Sequence, residues 1–181
     1  MRRLAIILVL ALGLVLVGAQ ASLAASPHFK HGGEPTCTIT PVSASSDSIT
    51  CTATLAGLGN DDVVVTTSVS GTAVYQCQNN GGNTAPGQNK VLVGPATSTT
   101  SIPADQIKNG NLTFTTNPAV LTAPTTVSGA VAGCPNPNWT GVNPVLTVTN
   151  ISLKIEQPPG TVIFNCSASD PLSGTVALTC G

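Results

Sequence analysis

Residues 63–77 read VVVTTSVSGTAVYQC, and this stretch decides the fold. Val63, Val65, Thr67, Val69, Gly71, Ala73, Tyr75 and Cys77 share one face at a period of two. Val64, Thr66, Ser68, Ser70, Thr72, Val74 and Gln76 share the other, which is partly polar. That alternation predicts a long strand with one buried side. Gly71 offers no side chain to pack and marks a bulge or bend.

The same pattern spreads outward. Residues 36–42 and 48–55 are Thr/Ile-rich runs separated by the turn SASSD at 43–47. Residues 78–90 (QNNGGNTAPGQNK) lack periodicity and are full of turn formers, so they read as a loop. Short strands follow at 91–94, 97–102, 111–116 and 127–132, with one helical turn at 103–110. Residues 144–157 form a second long strand. Its apolar phase changes from Leu146 and Val148 to Ile151, Leu153 and Ile155, as a bulge near Asn150 would cause. Residues 160–169 and 174–180 read as a hairpin around Asp170-Pro171-Leu172-Ser173. Nine or ten strands with no long helix predict an antiparallel β-sandwich, immunoglobulin-like in the broad sense. Trp139 follows Cys134 and does not lie between two paired cysteines, so a true immunoglobulin domain is not expected.

The N-terminus sets the compartment. Arg2 and Arg3 precede an apolar run from Leu4 to Val17, then the small residues Ala19, Ala21, Ala24 and Ala25. This is the layout of a signal peptide over residues 1–25. The run is shorter than the roughly 20 apolar residues that span a bilayer. The expected product is a secreted, extracellular protein with no membrane anchor after cleavage. It comprises a flexible lead-in at 26–35 and a single domain at 36–181.

Composition narrows the function. Beyond residue 25 there are four lysines and seven acids, a net charge of −3. No basic patch exists to neutralise phosphates, so no nucleic-acid partner is expected. The two histidines, His28 and His31, both lie in the lead-in, where no third group holds an imidazole for catalysis. Asp61 and Asp62 are the acids to test for a carbohydrate-active enzyme or a calcium loop; seven scattered acids leave a facing carboxylate pair possible, but aromatic platforms for sugar are few and no calcium motif surrounds the two. No catalytic residue, cofactor or metal site is expected.

Six cysteines follow the signal: Cys37, Cys51, Cys77, Cys134, Cys166 and Cys180. Cys37 and Cys51 are 14 apart across a predicted hairpin, as are Cys166 and Cys180. Each pair is placed to bridge neighbouring strands. Cys77 is left to pair with Cys134. No Cys-x-x-Cys spacing marks a metal site, and an exported chain meets an oxidising compartment.

Several segments carry a resemblance. GLGNDDV at 57–63, YQCQNNGGNTAPGQN at 75–89, IKNGN at 107–111 and CPNPNW at 134–139 are together similar to a family of small secreted bacterial β proteins without assigned function. The resemblance covers about residues 50–155. It implies a secreted single β domain, supports the pairing of Cys77 with Cys134, and supplies no catalytic residue.

The expected function is therefore a non-enzymatic structural or binding role at the cell exterior. The alternatives are a carbohydrate-active enzyme and a self-assembling surface-layer protein, since long β runs leave edges that pair. The expected binding surface joins the loop at 78–90 to the loop at 134–141, with Trp139, Asn138, Asn83 and Gln88 as contact residues. Trp139 serves there as a surface anchor or as a lid over the core. The expected partner is an extracellular polysaccharide or a protein.

Overall fold

The first sheet is built on β3 (Ser46–Ala56), which β1 (His28–Phe29), β2 (Thr36–Ser43), β7 (Leu112–Thr115) and β8 (Ala119–Thr122) all pair. β12 (Thr175–Ala177) pairs the outer edge of β2. The second sheet is built on β4 (Val63–Gln78) and β10 (Thr140–Glu156). β5 (Thr84–Pro86) and β6 (Val91–Ile102) pair β4, while β9 (Val127–Ser128) and β11 (Val162–Leu172) pair β10. β13 (Thr179–Cys180) pairs β11. Every pairing is antiparallel, and the two sheets enclose one apolar core. The result is a sandwich-like all-β fold. This computed structural model describes residues 26–181; the expected signal peptide at 1–25 lies outside the described residues.

The alternation in β4 is realised in full. Each residue of its predicted inner face, from Val63 to Cys77, is buried. Thr67 is the polar member, and its buried hydroxyl finds no hydrogen-bond partner. The phase change in β10 is also present. Val148 faces Gly71 while Asn150 faces Ser70, so Thr149 is an extra residue. Matching irregularities lie between Val69 and Gly71 in the β4–β6 pair and between Val148 and Asn150 in the β10–β11 pair. A crease thus crosses four neighbouring strands along one line, which is how bulges bend a sheet.

Gly71 sits in that crease, and a Cβ there would run into the carbonyl oxygen of Thr147. Gly71→Ala should therefore cost about 1–3 kcal/mol, the usual penalty of overpacking. Leu92→Ala, on an exposed side chain, should change stability by less than about 0.5 kcal/mol. Urea unfolding of both variants checks this, and equal losses would contradict the crease.

All three predicted disulfides are present: Cys37–Cys51, Cys77–Cys134 and Cys166–Cys180. Cys37 lies directly opposite Cys51, and Cys166 opposite Cys180, on paired strands.

Four local expectations are corrected. The lead-in was expected to be mobile, but β1 pairs β3, Lys30 N–H donates to Thr54 O, and the Phe29 ring lies 4.4 Å from that of Phe164. One aromatic anchor and a few ladder bonds suffice to dock it. The C-terminal hairpin is divided instead. After β11 the chain crosses to the first sheet as β12, then returns to the second as β13, with Leu178 buried between them. The expected strand at 127–132 stops at Ser128 and continues as one helical turn, α1 (Gly129–Ala132). Ser128 caps its start and left-handed Gly133 its end, which overrides the weak Val127/Val131 alternation. The loop at 78–90 contains β5.

The inner face of β3 is Asp47, Ile49, Cys51, Ala53 and Leu55, all buried. Asp47 is thus a carboxylate at a core-facing position, and burial raises its pKa. The folded protein therefore holds this proton more tightly than the unfolded chain. Its contribution is most favourable below the unfolded pKa and is lost as pH rises through the folded one. Asp47→Asn should gain more stability relative to the parent at pH 7 than at pH 3. Paired thermal unfolding at the two pH values checks the sign; a constant difference would mean that Asp47 titrates alike in both states.

Candidate functional site

The two loops expected to form a surface are brought together at the Gln78 end of β4. The Cys77–Cys134 bridge ties the last inward residue of that strand to the segment after α1, across a Cα–Cα distance of 5.6 Å. A second clamp supports it. Gln88 N–H and Asn89 N–H both donate to Ala132 O, and the Asn89 side-chain amide donates to Val131 O. The loop of β5 thereby satisfies carbonyls at the end of α1 that have no partner within the helix.

Asparagine side chains shape both rims. The Asn79 side-chain oxygen accepts from Gly81 N–H and Asn83 N–H, each at 2.9 Å. Asn79 N–H in turn donates to Asn83 O. On the facing loop the Asn136 side-chain oxygen accepts from Asn138 N–H at 2.9 Å, and Asn136 O accepts from Trp139 N–H. These are Asx turns, which fix a tight loop without a regular element. Gly129 belongs to the same construction, because a Cβ there would run into the carbonyl oxygen of Trp139.

Between the rims lies a depression of about 280 Å3 lined by Asn79, Asn80, Gly81, Asn136, Asn138 and Trp139. It contains no ionisable group. Trp139 is half-buried: it packs on the core and also lines the depression, so it serves as both lid and wall. Of the four residues expected to make contact, the structure brings Trp139 and Asn138 to this depression. Asn83 stands behind it as a partner of the Asn79 turn, and exposed Gln88 lies on the clamp against α1. Asn79, Asn80 and Asn136 were missed. The repeated Asn-x-Gly and Asn-x-Asn pattern was the available signal, because such spacing makes Asx turns that present their neighbours.

Asp61 and Asp62 do not converge on a reaction site. The Asp62 carboxylate accepts from Ala104 N–H at 2.8 Å, and Asp61 O accepts from the Gln157 side chain. These bonds anchor the loop leading into β4. His28 is exposed, and its ring contacts Ser26 O. Among the described residues no group of three or more His, Cys, Asp or Glu gathers, and no helix is long and apolar enough to cross a membrane.

In comparisons with known proteins the chain matches no family model, no curated protein and no solved structure.

The Cys77–Cys134 bridge closes the longest disulfide loop, with a sequence separation of 57. Replacing both cysteines by serine should cost about 4 kcal/mol in the chain-entropy model. It should also speed hydrogen exchange at Gly81, Asn83 and Trp139. Urea unfolding and exchange mass spectrometry read both effects. A loss confined to global stability, with unchanged exchange at these amides, would mean that the bridge does not hold the rims.

Proposed function

We propose that the protein is an exported, non-enzymatic binding module that takes a neutral extracellular polysaccharide at the Trp139 depression. The observation that carries this reading is the composition of the depression: one indole beside four asparagines, with no charge. Amide side chains both donate and accept hydrogen bonds, which suits sugar hydroxyls. The indole supplies an apolar face for a sugar ring, with an N–H at its edge. Charged polymers have no counter-ion there. The volume is below the roughly 300–1,000 Å3 of a drug-sized ligand pocket, so the site takes one unit or one end of a longer chain.

Export is supported by the signal-like residues 1–25 and by three disulfides in a small β domain, which fit an oxidising compartment. The resemblance to small secreted bacterial proteins points the same way. Rigid presentation favours a binder over a scaffold. Both rims are fixed by Asx turns and a disulfide, so little ordering entropy is lost on association.

The test is retention of the oxidised protein on a panel of neutral and acidic polysaccharides, with Trp139→Ala alongside. At least one neutral polymer should retain the parent protein. Trp139→Ala should weaken retention at least about tenfold, or about 1.4 kcal/mol; because the ring also packs on the core, its thermal midpoint should fall, and retention is compared at a temperature where the variant is folded. Retention by acidic polymers alone, or equal retention of the variant, would overturn the assignment.

A further inference from the structure

We propose that a second cleft, between the β2–β3 turn and the middle of β10, binds a free aliphatic primary amine through Asp47. This site is distinct from the Trp139 depression. Its volume is about 560 Å3, within the roughly 300–1,000 Å3 range of small-molecule pockets. Ile39, Pro41, Leu146, Val148 and Leu172 give it apolar walls, and Asp47 is its one ionisable residue.

The carboxylate is the informative group. Asp47 stands in line with Ile49 and Cys51 on the inner face of β3 and is only 9% exposed. Partial burial raises its pKa, and the ion pair found among the described residues, Lys154 with Glu156 towards the far end of β10, does not involve it. No protein group pairs with its oxygens, and they are not sealed from solvent, so they are open to a ligand in the cleft. A ligand ammonium in the cleft supplies the missing partner.

The walls define the rest of the ligand. Apolar surface favours an aliphatic body. A quaternary ammonium is recognised by aromatic faces, and no aromatic residue lines this cleft. A primary ammonium instead offers three N–H donors to one carboxylate. An anion meets repulsion from Asp47. A lysine side chain carries the same ammonium, and the test below separates it from a free amine.

The experiment is an NMR titration of the oxidised protein at pH 7 with hexylamine, hexanol and hexyltrimethylammonium. Hexylamine should give saturable shifts at Ile39, Asp47 and Val148, at an affinity at least about tenfold above the other two. Asp47→Asn should remove that preference. Should Asp47→Asn fail to fold, Ser173→Lys serves in its place. Ser173 is an exposed residue lining the cleft, and an ammonium placed there should compete for Asp47 and abolish hexylamine binding. Equal binding of hexanol, or no saturable shift at the cleft, would overturn the proposal. Tighter binding of Nα-acetyl-lysine methylamide than of hexylamine would overturn the assignment to a free amine.

Discussion

The antiparallel pairing of β4 with β10 is the constraint on which the rest of the structure depends. It runs from Gln78 opposite Thr140 to Val64 opposite Glu156. It places Val65, Val69, Ile151, Leu153 and Ile155 together in the core, all fully buried. A one-residue slip between these strands would turn every such side chain to the other face. The extra residue Thr149 is therefore tolerated only because the neighbouring strands bend at the same line. Gly71 permits the close approach, and the irregularities opposite Val69 and Val148 accommodate it in β6 and β11.

None of the disulfides joins the two sheets. Cys37–Cys51 lies within the first sheet, Cys166–Cys180 within the second, and Cys77–Cys134 ties β4 to a loop. Cohesion between the sheets rests on apolar burial. Local links supplement it, among them the bonds from the Asn117 backbone and side-chain N–H groups to Thr100 and Thr99 of β6. Phe29 of the first sheet meets Phe164 of the second, and Leu146 N–H donates to Ala44 O of the β2–β3 turn. The bridges serve a different purpose. Cys37–Cys51 lies inside the core of the first sheet, whereas the other two tie down the segments at Cys134 and Cys180, whose neighbours are mostly polar and exposed.

Much of this was legible in the sequence because a period of two survives wherever one face is buried. The inner face of β4, the phase change in β10 and the two short cysteine pairs follow from spacing, and Cys77–Cys134 is then the pair that remains. What alternation does not encode is which sheet a short strand joins. β12 has three residues and β13 has two; nothing local distinguishes them, and only the packing of Leu178 and the pairing with β2 divide the tail. The lead-in was missed for a related reason. Phe29 is one apolar residue among polar ones, and its worth depends on Phe164, distant in sequence. Asp47 was read as part of a turn, although extending the series Leu55, Ala53, Cys51 and Ile49 by one step places it inside. Polar residues at the end of a strand break the pattern just where its meaning matters. At the Trp139 site the loops were identifiable from composition, but which side chains line the depression depends on turn geometry rather than on residue type.

Both candidate sites are consequences of how the second edge of β10 is covered. β9 pairs that edge at Thr140 and Gly141, and β11 takes over only at Val148. Between them no strand among the described residues pairs β10, and the Ala44 carbonyl is the contact that bridges the gap. A complete partner strand would fill this interval and leave a smooth wall. Its absence opens the cleft beside Asp47, while the short β9 ends at α1 and so lets the Asn136–Trp139 turn stand clear of the sheet. Regular pairing therefore supplies the rigid frame, and its interruption supplies the concavities. A charge-poor β protein has few other ways to make a site, because it lacks the clustered ionisable groups that define one electrostatically. On the proposed reading, recognition comes from shape, amide hydrogen bonding, one indole and one carboxylate at a core-facing position.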